Sequence, residues 1–238
     1  VQRIRFLPCD GDAPNAATGL RMNVLTYAIG DIHGCADALL RLLERINLHR
    51  AGRPARIVCL GDYVDRGPES ARVIEILRHL QRDAPSALTC LMGNHEAMLL
   101  EFLDGSDPRK VARFIYNGGS STLASYADKD GAWHMPPSHL AFFRELRLLH
   151  DDGANIFVHA GLPDVPIAKI DPKEHAEHLL WIRREFFESR FPWARRIVHG
   201  HTPVREVEIH HCDLGLAYAP TDWPPAFVDL LLTTRAAS

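Results

Sequence analysis

The chain has 238 residues, an apolar fraction of 46% and a net charge of −3, from 27 Lys and Arg against 30 Asp and Glu. That apolar content supplies a buried core and excludes disorder over most of the chain, and the length fits one domain or two small ones. The charge balance lacks the basic excess of a nucleic-acid binder, and no apolar run approaches the roughly 18 to 20 residues that a membrane-spanning helix needs.

The polar, turn-forming residues 1–21 read as a loose N-terminal extension, with Met22 opening a single domain over 22–238. Residues 24–30 form a short apolar strand that ends at a glycine. From 35 to 48 the apolar positions Leu39, Leu42, Leu43 and Ile46 recur at helical spacing. Residues 56–60 give a second strand. Gly67-Pro68 then opens a second helix, whose buried stripe is Val73, Ile74, Leu77 and Leu80. Residues 87–92 form a third strand, ended by Gly93. This alternation predicts an α/β fold with mixed, mainly parallel β-sheets sandwiched by helices. Residues 97–150 read as a mainly helical insertion over the site, with helices at 110–116 and 138–149 around the turn-forming stretch 117–120. Strands follow at 155–158 and 195–198, separated by a helix over 173–189, and further strands are expected at 204–210 and 227–232. Cys9, Cys35, Cys59, Cys90 and Cys212 are odd in number and include no Cys-x-x-Cys pair, which points to reduced thiols and a cytoplasmic location.

Parallel strands leave a sheet on one edge, and each β-α-β step takes about 30 residues. Asp31, Asp62 and Asn94 share that spacing, and each follows a strand and a glycine, so the topology gathers them at the carboxyl end of the sheet. His33 lies two residues after Asp31. His159 and His201 follow later strands in Val158-His159-Ala160-Gly161 and His199-Gly200-His201-Thr202. An isolated histidine is commonly a packing or surface residue, and an Asp after a strand commonly caps a helix. So many glycine-flanked polar groups at successive strand ends would instead be costly to bury unless a cation collects them. Carboxylate, amide and imidazole ligands suit manganese, iron or zinc better than calcium or a thiolate site. His134, His139, His150, His175 and His178 have no partner visible in the sequence and read as structural.

The motifs Gly30-Asp31-Ile32-His33-Gly34, Gly61-Asp62-Tyr63-Val64-Asp65-Arg66-Gly67, Gly93-Asn94-His95-Glu96, His159-Ala160-Gly161 and His199-Gly200-His201-Thr202 stand in order between residues 24 and 203. In them the chain resembles the phosphoprotein phosphatases of the calcineurin-like metallophosphoesterase superfamily, in particular the bacterial serine/threonine phosphatases. The resemblance implies two divalent metal ions, one held by Asp31, His33 and Asp62, the other by Asp62, Asn94, His159 and His201. It implies that Arg66, Arg183 and Asn94 bind the substrate phosphate and that His95 is the general acid, oriented by Asp65. A hydroxide bridging the two metals would attack phosphorus directly, with no covalent phosphoenzyme. The expected substrate is phosphoserine or phosphothreonine in proteins. The alternative is a dinucleoside polyphosphate cleaved symmetrically by the same centre, and a third reading is a binding module for phosphorylated partners that has lost catalysis. After Pro203 the likeness weakens: Cys212-Asp213-Leu214-Gly215 only partly matches the segment these enzymes carry there.

Overall fold

Short strands, each followed within three residues by a glycine or directly by a histidine, set the architecture. The structure, a computed structural model, describes residues 24–203 apart from Ser106. The predicted extension at 1–21, the strands expected at 204–210 and 227–232, and residues 212–215 lie outside the described residues.

Strands β1 (Leu25–Ile29), β2 (Ala55–Cys59) and β3 (Leu88–Cys90) form a parallel sheet in that order, with Leu25 opposite Ala55 and Ile57 opposite Leu88. A second sheet holds β4 (Leu149–Asp151), β5 (Asn155–Val158) and β6 (Arg196–Val198), with β4 antiparallel and β6 parallel to β5. Because side chains alternate along a strand, each sheet buries both faces. Ala28, Val58 and Leu60 of the first sheet's strands and exits meet Phe157 and Val198 of the second in one apolar seam. On the outer face of the first sheet Tyr27, Ile29, Ile57 and Cys59 join Leu39, Leu42, Leu43 and Ile46 of helix α1 (Ala36–Arg50) and Val73, Ile74 and Leu77 of helix α2 (Ser70–Asp83). Burying each such Leu or Ile is worth about 1.5–3 kcal/mol. Behind the second sheet, Ile156, Val158 and Ile197 pack on Leu179 and Phe186 of helices α7 (Ala176–Trp181) and α8 (Arg184–Glu188). The resulting order is helices, sheet, sheet, helices.

The insertion comprises α3 (Asn94–Leu103), α4 (Pro108–Phe114), a π-helical turn at Ile115–Gly119, α5 (Ser120–Ser125) and α6 (Pro137–Glu145). No described helix is long and apolar enough to cross a membrane.

Four expectations need correction. Helix α2 starts at Ser70 rather than at Pro68, because the Glu69 N–H is taken by Gly34 O and the chain is still crossing to the first loop there. The 117–120 stretch is a kinked continuation of α4 rather than a turn between helices, with Gly118 at φ 101°. The helix expected over 138–149 stops at Glu145, since residues 149–151 pair with β5 instead. The helix expected over 173–189 is two short helices. Ile182 turns extended, with ψ 141°, and this carries Arg183 toward His201.

His139, read as structural, is a buried link. The Tyr126 hydroxyl donates to its Nδ1 at 2.8 Å, and its Nε2 donates to Glu75 at 2.9 Å, which ties α6 to α2.

Candidate metal centre

Five of the six described strands contribute a side chain at their exit to a single edge. Asp31 follows β1, Asp62 follows β2, Asn94 begins α3 after β3, His159 directly follows β5, and His201 follows β6. The backbone there is unusual. Among the described residues seven non-glycines have positive φ, and five of them belong to this edge: His33, Asp62, Asp65, Arg66 and His201. Such left-handed residues cost of order 1–3 kcal/mol each and persist only where surrounding bonds over-determine them. Those bonds are present. The N–H groups of Ile32 and His33 both donate to Asp62 O at 2.8 Å. The buried Glu96 carboxylate accepts four more, from Tyr63 and Val64 at Oε1 and from Asp62 and Gly93 at Oε2. Gly93 itself leaves no room for a side chain, as a Cβ would stand 2.2 Å from Asp62 Oδ1.

Two groups of ligand atoms converge, each within 4.8 Å and all buried: His33, Asp62 and His95, and Asp62, His159 and His201. Asp62 belongs to both. Asn94 Oδ1 joins the second group, 2.9 Å from both His159 Nε2 and His201 Nδ1. Asp31 stands at the rim, half-buried, its Oδ1 accepting the His201 N–H at 3.1 Å.

The protonation pattern suits metal ligation. His33 Nδ1 donates to Val64 O and His159 Nδ1 to Leu60 O, which leaves each Nε2 with a bare lone pair facing the cluster. His33 Nε2 is buried and has no hydrogen-bond partner, an orphan that a cation would satisfy. Burial holds His33 below its ordinary value against the pull of Asp62 and Asp31. Burial, with His159 and Arg183 adding, pushes His201 down to about 3. Burial alone would raise Asp62, but His159, His95 and His33 hold it well below the usual carboxylate range. His33 and His201 are thus held toward their neutral form beside an ionised Asp62, the donor set that a divalent cation takes.

His95 has a second set of partners. Its Nδ1 donates to Asp65 Oδ2 at 2.7 Å, while Nε2 lies 3.8 Å from Asp62 Oδ2 and 3.1 Å from the Arg66 guanidinium. Burial opposes the imidazolium, yet Asp62 and Asp65 outweigh it and raise His95 above its ordinary value. Arg66 is exposed, at the mouth of the site. The insertion grips its main chain: Arg66 N–H donates to Gly118 O, and the Ser121 hydroxyl donates to Arg66 O. Arg183 is also exposed, and its Nε donates to His201 Nε2 at 3.1 Å. His199 packs edge-on against Phe186 and belongs to neither converging group.

All the predicted site residues thus stand on one edge. The reading by sequence missed two others. Glu96, in Gly93-Asn94-His95-Glu96, had a signal in its position three residues after Gly93, that of a capping box. Thr122 had none, since its partner Asp65 is 57 positions away.

Comparison with known proteins agrees with this geometry. The family model "Calcineurin-like phosphoesterase" matches residues 25–230. Serine/threonine-protein phosphatase 1 of Salmonella typhimurium is 27% identical over 201 residues, covering 81% of this chain and 87% of the relative. The symmetrical bis(5'-nucleosyl)-tetraphosphatase of Dechloromonas aromatica is 38% identical over 137 residues, covering 58% of this chain and 44% of the relative. The chain therefore spans less than half the length of such tetraphosphatases. Among solved structures, the cold-active protein-tyrosine phosphatase of a psychrophilic Shewanella shares the fold, with a TM-score of 0.53 and 18% identity over 90% of this chain and 73% of that one.

Proposed function

Since the chain belongs to the calcineurin-like phosphoesterase family, we propose that it is a divalent-metal-dependent phosphomonoesterase acting on phosphoserine and phosphothreonine in proteins. The observation that carries this reading is the His95–Asp65 pair at 2.7 Å, whose histidine stands within the first converging group, next to Asp62. A phosphate ester of an alcohol leaves poorly without a proton, and a buried histidine held toward its charged form by carboxylates is suited to supply one.

In this reading Asp31, His33 and Asp62 hold one cation and Asp62, Asn94, His159 and His201 the other, with manganese the first choice and iron or zinc the alternatives. When bound, such a pair supplies the Lewis acidity that makes water a nucleophile at neutral pH. The remaining roles belong to the chain. Arg66, beside His95, and Arg183, beside His201, are both exposed and offer guanidinium forks to the non-bridging phosphate oxygens, and the Asn94 amide offers a further donor. His95 delivers its Nε2 proton to the leaving oxygen, and Asp65 fixes the ring and stabilises its charge.

The match to a serine/threonine phosphatase supports the protein substrate, and asymmetrical bis(5'-nucleosyl)-tetraphosphatases that match over a comparable share of the chain support a dinucleotide. The higher identity to a tetraphosphatase over a shorter stretch supports the second reading, symmetrical hydrolysis of dinucleoside tetraphosphates at the same centre. Purified chain supplied with manganese, and with a chelator as control, is to be assayed side by side on a phosphothreonine peptide and on diadenosine tetraphosphate. The expected result is faster turnover of the peptide. A large preference for the dinucleotide transfers the assignment to the second reading, and metal-loaded protein that cleaves neither refutes both.

A further inference from the structure

We infer that Thr122, carried by the helical insertion, is a positioning residue for the proton that leaves with the alcohol: its hydroxyl fixes the Asp65 carboxylate that in turn orients His95. The inference rests on the phosphomonoesterase reading and adds to it a residue 57 positions away from the motif it serves.

The hydrogen-bond accounting leaves little freedom. Asp65 Oδ2 is occupied by His95 Nδ1–H at 2.7 Å. Its other oxygen, Oδ1, accepts from Thr122 Oγ1 at 2.6 Å, and the Asp65 N–H donates back to the same hydroxyl at 2.8 Å. A hydroxyl has one proton and two lone pairs. With that proton given to Asp65, the neighbouring Ser70 hydroxyl, 3.2 Å away, must be the donor to Thr122. Asp65, Thr122 and Ser70 are fully buried, so bulk water offers no replacement for any of these bonds.

The same segment grips the next residue. Arg66 N–H and O are bound by Gly118 and Ser121, and a Cβ on Gly118 would stand 3.0 Å from Arg66 N, at a φ that only glycine adopts freely. Asp65 and Arg66 are both left-handed, with φ 70° and 65°. One short stretch of the insertion, 118–122, therefore pins two strained residues, and Thr122 is the member that touches the acid's carboxylate. An ordinary structural role would need neither the two-way bond nor the contact with the oxygen opposite His95.

The test compares Thr122→Val, which keeps the shape and removes the hydroxyl, with Thr122→Ser, which keeps the hydroxyl. Two esters separate positioning from folding: phenyl phosphate, whose leaving group needs a proton, and p-nitrophenyl phosphate, whose leaving group does not. For Thr122→Val, kcat on phenyl phosphate is expected to fall about 10- to 100-fold, the lower part of the range for general-acid catalysis, while the nitrophenyl ester changes less than about threefold. Thr122→Ser is expected to keep the wild-type ratio. Nitrogen-15 spectra of the full chain without added metal supply an independent readout. The His95 Nδ1–H signal is expected in wild type and Thr122→Ser and lost to exchange in Thr122→Val. Should Thr122→Val fail to fold, Ser70→Ala, which removes the donor to Thr122, is expected to move the ester ratio in the same direction. An equal fall on both esters, an unchanged ratio, or a retained Nδ1–H signal in Thr122→Val overturns the inference. If wild type cleaves neither ester, the phosphomonoesterase reading falls, and the spectra alone decide whether Thr122 holds the pair.

Discussion

Replacing Glu96 by Gln changes one atom of the side chain but strikes the frame from which Asp62 hangs. The wild-type carboxylate is fully buried and accepts four main-chain N–H groups, two at each oxygen. Glutamine has one acceptor oxygen, so whichever way the amide turns, two of the four N–H groups lose their acceptor and face an NH2 group. A buried donor left unpaired costs about 1–3 kcal/mol, which places the gross loss at roughly 2–6 kcal/mol. Burial, with the nearby Asp62 charge adding, pushes Glu96 up to about 8, so near neutral pH the swap removes little charge and returns only a small part of that cost. The net expectation is a loss of about 2–4 kcal/mol, a large share of the roughly 5–15 kcal/mol that holds a domain together. Urea unfolding of the chelator-treated chain measures it, with a lower midpoint at unchanged slope. The half-buried Glu101, paired with Arg113, is the control, and its Gln variant is expected to stay within about 0.5 kcal/mol of wild type. If Glu96→Gln costs less than about 1 kcal/mol, the four bonds do not carry the frame and the reasoning fails.

Other consequences are open to measurement. His95→Ala is expected to lower kcat on an ester with a poor leaving group by roughly 10²–10⁴-fold with metal content retained; loss of metal in that variant would mean that His95 is a ligand of the first group rather than the acid. Asp62→Asn, which weakens the one residue shared by both groups, is expected to reduce bound manganese after dialysis to less than one ion per chain, as read by elemental analysis. The His201 shift gives a pH dependence. Folded, His201 is held to about 3, against an ordinary value of 6.5, so between the two the unfolded chain binds a proton that the folded chain refuses. Stability from this group is complete above about 6.5 and is lost as pH falls toward 3, with a slope of up to ~1.4 kcal/mol per pH unit. His201→Asn is expected to flatten that slope in urea titrations of the metal-free chain, and equal slopes in the two proteins would dismiss it.

The parts of this molecule that were legible in the sequence are those in which local pattern and global position coincide. His159 directly follows an apolar strand, and Asp31, Asp62, Asn94 and His201 each follow one within four residues, so predicting the strand predicts the edge on which its polar neighbour sits. Helix α1 was legible for the same reason, because its buried face repeats every turn. What stayed hidden depends on partners far along the chain. The break at Ile182 and Arg183 has no glycine or proline to announce it, and it arises where Arg183 reaches His201. The end of α6 at Glu145 reflects pairing of residues 149–151 with β5, which a helical run of apolar residues conceals. Thr122 and His139 look like ordinary helix residues until the fold brings Asp65 and Glu75 to them.

The side chains that converge on this edge are divided between two sheets that share no strand: Asp31, His33, Asp62 and Asn94 hang from the first, His159 and His201 from the second. The apolar seam of Ala28, Val58, Leu60, Leu91, Phe157 and Val198 is what presses the two together beneath them. An ion seated there would act as a rivet through two plates, adding a directional tie to the packing of the seam. Stripping it away should let the plates shear before either one frays, so that catalytic competence and mechanical cohesion fail at the same joint.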